Sequence, residues 1–213
     1  MKEPKTPQSP VVAVRKAPKQ ERSTRLVADI LEAAVRVLIK EGARRFTAAR
    51  VAEAAGVSVG SLYQYFPNKE AILFRLQTDE WDGTRAMLEQ ILGDTRRPAL
   101  DRLRAMVEAF FRTEYDEAAL RKALDDAAPL YRTSPEALER KASVAMFALS
   151  FVEEALPHAS AHNQDLAARM LMTTMSTLGE SVSERAQSID EVNAWGTEVA
   201  DMLCAYFERV AAR

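Results

Sequence analysis

The segment from residue 57 to residue 70, VSVGSLYQYFPNKE, constrains the fold of this chain more than any other. Upstream of it, Thr47 can cap a short helix over residues 48–55, and Gly56 follows where helices commonly end in a left-handed residue. Ser58 can then cap a second short helix inside the segment. Two short helices joined by so tight a turn are typical of a helix-turn-helix, which favours DNA as the target.

The second short helix, which runs to about Tyr65, has two different faces. Leu62 and Phe66 lie one turn apart and are expected to pack inward. The opposite face carries small and polar side chains, which can approach DNA bases closely and exchange hydrogen bonds with them. These side chains are Gly60, Ser61, Tyr63 and Gln64. Lys69 places a cation in the first turn of the next helix, where it opposes the helix dipole unless an anion such as a phosphate is present.

Short amphipathic helices after a glycine-containing turn also occur in helical proteins that do not bind DNA, but the match here extends over many positions. It comprises Thr47, Val51, Ala52, Ala55 to Ser58, Gly60, Leu62-Tyr63, Tyr65-Phe66 and Lys69-Glu70. These residues resemble the signature of the TetR family of bacterial transcriptional regulators, and the resemblance covers about Arg22 to Phe74. It implies a three-helix DNA-binding domain, an all-helical ligand and dimerisation domain, and repression that a small molecule relieves.

The resemblance also implies which residues contact DNA, namely those at positions where members of the family touch it. They are Thr47, Ser58, Val59, Gly60, Ser61, Tyr63, Gln64, Tyr65 and Lys69. The chain departs from the family at two places, since members often carry Lys, Arg or Pro where it has Val59, and a polar or basic residue where it has Ala49. The operator sequence of another member therefore does not transfer to this chain.

Charge is divided unevenly along the chain. The net charge of the whole chain is only -2. Residues 1–75, however, contain 14 Lys and Arg against 7 Asp and Glu, whereas residues 76–213 contain 15 Lys and Arg against 24 Asp and Glu. The N-terminal third is thus the part that tolerates a phosphate backbone. Residues 1–21, rich in proline and lysine, are predicted to be a disordered basic arm, either a solvated tail or a further DNA contact.

We expect an all-α chain, because helical periodicity recurs throughout and strand alternation does not. The DNA-binding domain is predicted over 22–74 and the ligand-binding and dimerisation domain over 75–213. The first helix is predicted to begin at Ser23 and to end at Gly42. Long helices are predicted from Lys69 to about Leu92 and over 98–115, 117–128, 135–156, 164–186 and 190–211. Without a run of 18 apolar residues or a signal peptide, the protein is expected to be soluble and cytoplasmic.

The last two helices carry regular apolar stripes. Their members are Leu171, Met175, Leu178 and Val182 on one helix and Trp195, Val199, Met202 and Tyr206 on the other. Such stripes are usually internal core. The resemblance instead implies a homodimer in which these helices pack against their mates.

Large adaptable side chains are concentrated in the middle of the chain, over residues 81–151. They are Trp81, Met106, Phe110, Phe111, Tyr115, Tyr131, Met146, Phe147 and Phe151. Core packing is the default explanation, but such a set can also line a cavity for an apolar or amphipathic effector.

No pattern of catalytic or metal-binding residues is evident. His158 and His162 are the only histidines, placed at a loop after Pro157 without cysteine or clear carboxylate partners, and Cys204 is the single cysteine. We therefore predict no metal, no cofactor and no enzymatic activity. The leading interpretation is a homodimeric repressor that binds an operator in double-stranded DNA. The alternative is a helical small-molecule-binding or interaction protein without sequence-specific DNA binding.

Overall fold

A computed structural model of the chain describes Val12 and residues 21–212, with the side chains of Glu21 and Arg22 excluded. Within these residues every regular element is helical, as predicted. The elements are α1 (Glu21–Arg45), α2 (Ala48–Ala54), α3 (Val59–Tyr63), α4 (Lys69–Leu92), α5 (Ala99–Asp116), α6 (Ala118–Ala127), a 3₁₀ turn (Ala128–Leu130), α7 (Pro135–Ala155), α8 (Ala161–Arg185) and α9 (Ile189–Ala211). The predicted basic arm over 1–21 lies outside the described residues, apart from Glu21 at the start of α1 and Val12, which is buried.

Two helix boundaries differ from the sequence prediction for identifiable reasons. Ser160 accepts a hydrogen bond from the Asn163 amide at 3.3 Å, so α8 begins at Ala161 and His162 lies in a helix rather than a loop. At the other end of the chain, Gly42 was expected to end the first helix. It does interrupt α1, with φ 73° and ψ 167°, but helical residues continue to Arg45.

The described chain forms two compact units. The first unit comprises residues up to Glu80 together with 119–140, and the second comprises 81–118 and residues from Lys141 onward. The boundary predicted from the sequence lies after Phe74 instead. The structure extends the first unit along α4 and adds a segment that lies some 40 residues further along the chain. Neither charge nor periodicity indicates that this segment packs with the first unit.

The first unit has a core of fully buried apolar side chains. Phe46, Leu62, Phe66 and Ile72 have no exposed surface, so the loop before α2, helix α3, the turn after it and the start of α4 share the burial. Because α2 and α3 have only 7 and 5 residues, they cannot be stable in isolation and depend on this packing.

The second unit is built around α5, which packs against α9 and α8. Two glycines lie where α8 and α9 contact α5. A Cβ at Gly179 of α8 would lie 2.8 Å from Phe110 Cε1, and one at Gly196 of α9 would lie 3.4 Å from the Glu108 Cα. Gly179 therefore allows α8 to approach Phe110 of α5 more closely than an alanine would, whereas a Cβ at Gly196 would make an ordinary van der Waals contact.

Candidate nucleic-acid interface and regulatory core

Hydroxyl caps fix the two helices of the predicted helix-turn-helix. Thr47 Oγ1 accepts a hydrogen bond from the Arg50 amide at 3.3 Å, and Ser58 Oγ accepts one from the Ser61 amide at 3.0 Å. Between the helices, Gly56 has φ 67°, and the Val57 amide donates to the Ala52 carbonyl at 2.9 Å. Both caps and the left-handed glycine were predicted from sequence and are confirmed.

Helix α3 presents a polar face, and its apolar side is buried as predicted. Leu62 is fully buried, whereas Tyr63 is 41% exposed and Val59 is 38% exposed. Gly60 and Gln64 are also exposed, and neither α2 nor α3 has an acidic residue in its first turn. The first turns of α2 and α3 therefore carry no carboxylate that would oppose a polyanion.

The remaining predicted DNA contacts differ in exposure. Thr47 and Ser58 are exposed, and Ser61 is partly buried with its hydroxyl 2.8 Å from that of Ser58. Tyr65 is only 6% exposed, so its ring contributes to the core of the first unit. Lys69 is partly exposed at the first position of α4.

Three arginines near the start of α2 were not among the residues selected from the sequence. Glu41 Oε2 lies 3.0 Å from Arg45 Nη2 and 3.1 Å from Arg50 Nη1. Arg44, next to this group, is exposed. The Arg44-Arg45 pair just before the capping residue Thr47 is the feature of the sequence that could have indicated these arginines.

A buried polar network joins α4 to the segment 119–140 inside the first unit. The Tyr131 hydroxyl donates to Gln77 Oε1 at 2.9 Å, and Gln77 Nε2 donates to Glu80 Oε2 at 3.0 Å. Glu80 pairs with Arg121 at 2.9 Å, and both side chains are largely buried. Burial raises the pKa of Tyr131, and the carboxylates of Asp125 and Glu80 raise it further, so the phenol remains a donor. Tyr131, predicted to contact an effector, thus belongs to the first unit.

Six of the nine predicted effector residues lie together in the second unit. Met106, Phe111 and Phe151 belong to one buried cluster, and Phe110, Tyr115 and Phe147 pack against it. The three others are separate from this cluster. Tyr131 lies in the first unit, Trp81 is partly buried, and Met146 is 71% exposed on α7. The cluster provides aromatic surface from α5 and α7.

Two arginines attach the second half of α4 to this aromatic cluster. The Arg85 guanidinium lies 5.6 Å from the Phe147 ring centroid, and its Nη1 donates to Ser143 Oγ at 2.8 Å. Arg102 donates to the Leu92 carbonyl at the end of α4, and its guanidinium lies 5.8 Å from the Phe151 ring centroid.

Arg102 is the most deeply buried charge that links these helices, with 3% of its surface exposed. It also pairs with Glu154 of α7, and this hydrogen bond lowers the pKa of the Glu154 carboxyl. Arg102 Nε has no hydrogen-bond partner among the described residues. The sequence pattern did not single out this arginine, because it lies inside an amphipathic helix with several other arginines.

Most of the predicted interface stripe is buried within the subunit. Leu171, Met175, Val182 and Val199 belong to the core of the second unit, and Leu178 and Tyr206 pack against it. Of the eight residues, Trp195 and Met202 are substantially exposed, at 45% and 50%. Two other apolar residues, Leu166 and Met170 of α8, are exposed at 41% and 45%.

The described ranges contain neither a metal-ligand cluster nor a membrane-spanning helix. No group of three or more His, Cys, Asp or Glu side chains there could hold a metal ion. None of the helices in that part of the chain is long and apolar enough to cross a membrane.

Comparison with known proteins agrees with these features. Residues 30–76 match the family described as bacterial regulatory proteins, tetR family, and residues 98–210 match the tetracyclin repressor-like C-terminal domain. An uncharacterised HTH-type transcriptional regulator, YvkB of Bacillus subtilis (strain 168), is 34% identical over 71 residues. That match covers 33% of this chain and 38% of the relative.

Solved structures show the same fold at low sequence identity. The fatty acid degradation regulator FadR from Bacillus halodurans has a TM-score of 0.70 at 19% identity, over 88% of this chain and 97% of that chain. FadR from Bacillus subtilis, in complex with stearoyl-CoA, has a TM-score of 0.64 at 21% identity, over 84% of this chain and 98% of that chain. A SmeT–triclosan complex has a TM-score of 0.66 at 22% identity, over 85% of this chain and 91% of that chain.

Together, the two domain matches establish that this chain belongs to the TetR family of DNA-binding transcriptional regulators and is not an enzyme.

Proposed function

We propose that the protein is a homodimeric repressor that binds an operator through α3 and is released by an apolar or amphipathic small molecule. The observation that carries this proposal is the exposed face of α3. Tyr63 and Gln64 project from a capped helix whose other side is buried. Gln64 can form two hydrogen bonds to an adenine edge, and Tyr63 can contact a phosphate or a thymine methyl.

The aromatic cluster on α5 and α7 supports the choice of effector. Phe110, Phe111, Phe147 and Phe151 offer aromatic surface, and Met106 adds an adaptable side chain. Two family members of similar fold were solved with stearoyl-CoA and with triclosan, which are amphipathic and apolar molecules. An apolar or amphipathic effector for this chain is consistent with both observations.

Release would proceed through α4, which runs without interruption from Lys69 to Leu92, about 36 Å. Arg85 and Arg102 connect the second half of this helix to Phe147 and Phe151. An effector that displaces these rings would shift the Leu92 end and reorient the Lys69 end. In a dimer, the two α3 helices would then no longer match successive major grooves, which lie about 34 Å apart.

A modest coupling suffices for this mechanism. To lower operator affinity a hundredfold, the effector must favour the DNA-incompetent state by about 2.7 kcal/mol. Reciprocity requires that the operator weaken effector binding by the same factor.

The proposal is tested first with DNA. The full-length protein is used to select a duplex from a random-sequence library, and its affinity is measured by fluorescence anisotropy. Tyr63→Ala should weaken binding about tenfold or more without loss of helical circular dichroism, whereas Gln64→Ala should change which base is preferred. Failure of the wild-type protein to enrich any sequence would favour the alternative function, a helical binding protein without sequence-specific DNA recognition.

Effector release is tested separately by calorimetry. Stearoyl-CoA and triclosan are titrated into the protein with and without the selected duplex. We expect at least one of them to bind, and to bind the DNA complex more weakly. Equal affinities for free and DNA-bound protein would reject regulation by that molecule, and no binding by either would reject this pair as representatives of the effector class.

A further inference from the structure

The end of α1 is bent so that two arginines lie immediately before α2. Gly42 adopts φ 73° and ψ 167°, a conformation that strains any residue with a side chain. Four residues later, the completely buried Phe46 fixes the chain to the core, and Thr47 caps α2. Arg44 and Arg45 are therefore held in a short exposed stretch between two fixed points.

The backbone of this stretch is held further by a third arginine. Arg50 Nη1 donates to the Arg45 carbonyl at 3.0 Å and to Glu41 Oε2 at 3.1 Å. The same Glu41 oxygen lies 3.0 Å from Arg45 Nη2. One carboxylate thus faces two arginines, and Arg44 adds a third positive charge beside them.

Fold stability does not account for this excess of charge. Surface ion pairs such as Arg45–Glu41 contribute roughly 0–1 kcal/mol, and the Arg45 side chain is 67% exposed. Glu41 engages one terminal nitrogen of Arg45, and a guanidinium has five N–H donors in a planar fork. That geometry matches phosphate oxygens particularly well.

The neighbourhood of the two arginines favours DNA as the source of phosphate. Arg45 is two residues from Thr47, at the end of α2 that begins the helix-turn-helix, so their Cα atoms lie within about 7 Å. Residues 43–52 contain three arginines and no acid. A backbone held at Gly42 and Phe46 also loses less conformational entropy when its arginines bind than a mobile loop would.

We infer that Arg44 and Arg45 bind backbone phosphates flanking the groove that α3 reads, and so extend the DNA contacts beyond the helix-turn-helix itself. Gly42 and the Arg50–Arg45 carbonyl hydrogen bond hold the backbone that carries the two side chains. This inference rests on the proposed DNA binding through α3. The experiment below distinguishes a failure of the inference from a failure of the proposed DNA binding.

Arg44→Ala and Arg45→Ala are measured against the duplex selected by the wild-type protein, over a range of salt concentrations. Each loss should weaken binding about fivefold at 0.15 M salt and reduce the slope of log K against log salt by about one unit. The effect should be the same on an unrelated duplex of equal length, because phosphate contacts carry no sequence information.

Two sets of matched variants complete the experiment. Arg96→Ala removes the same charge from the turn after α4, where the Arg96 side chain is 89% exposed, and should leave the slope unchanged. Arg44→Lys and Arg45→Lys retain the charge and should retain the wild-type slope. If the alanine variants bind like wild type, or the lysine variants lose as much as the alanine variants, the inference is overturned. Failure of the wild-type protein to select any duplex would instead refute the proposed function.

Discussion

The two units of this protein differ in how their sequences determine their functional surfaces. In the first unit, α2 and α3 are short and depend on local devices, namely hydroxyl caps, a left-handed Gly56 and a few buried residues. The second unit consists largely of α5, α8, α9 and the greater part of α7, which are helices of 18 to 25 residues, and their positions depend on which apolar side chains pack around α5. The proposed DNA contacts are therefore a small number of exposed residues in one unit, whereas the proposed effector site depends on the arrangement of a large core in the other.

The largest expected effect follows from the core of the second unit. Phe111 of α5 is 1% exposed, and Phe111→Ala should lower the free energy of unfolding by about 3–5 kcal/mol, because it removes buried apolar surface and leaves a cavity. Met146→Ala, at an exposed position of α7, should change it by no more than about 0.5 kcal/mol. Urea denaturation measures both values. Equal effects would contradict the view that packing around α5 determines this unit.

A smaller effect is expected at the subunit surface, where the dimer is proposed to form. Met202→Glu places an unpaired charge on an exposed apolar residue of α9 and should weaken dimerisation at least a hundredfold. Met146→Glu is the matched control on α7 and should leave the dimer intact. Sedimentation of both variants decides the matter, and a wild-type monomer or a dimeric Met202→Glu variant would oppose the proposed interface.

The two units were not equally predictable from sequence, because local and long-range contacts leave different patterns in it. Caps and left-handed glycines act over three or four residues, so Thr47, Gly56 and Ser58 could be assigned their roles from local sequence alone. Polar contacts across long separations leave no such pattern. In the second unit, the Arg85–Ser143 hydrogen bond joins residues 58 positions apart, and no periodicity indicates it.

Periodicity also failed to distinguish the inner face of α8 from its outer face. Met170 and Leu171 are adjacent, yet Met170 is exposed and Leu171 is buried. Because apolar residues cover more than one face of this helix, a regular stripe can be drawn through either of them. Only the positions of α5 and α9 decide that Leu171 and Met175 pack inside the subunit. Leu178 also packs against that core, so a charge at Leu178 is expected to unfold the protein rather than release intact monomers.

The smallest predicted effect tests whether local capping determines α3. Ser58→Ala removes the acceptor for the Ser61 amide and should lower the free energy of unfolding by about 1 kcal/mol. Ser160→Ala removes the corresponding cap of α8, whose 25 residues have many other contacts. Hydrogen exchange measured by NMR without DNA should show faster exchange throughout α3 in the first variant, because a five-residue helix has no interior that survives loss of its first turn. In the second variant, faster exchange should be confined to the first turn of α8. If α3 stays protected in Ser58→Ala, its position is determined by the burial of Leu62 alone, and the contrast between the two units no longer holds.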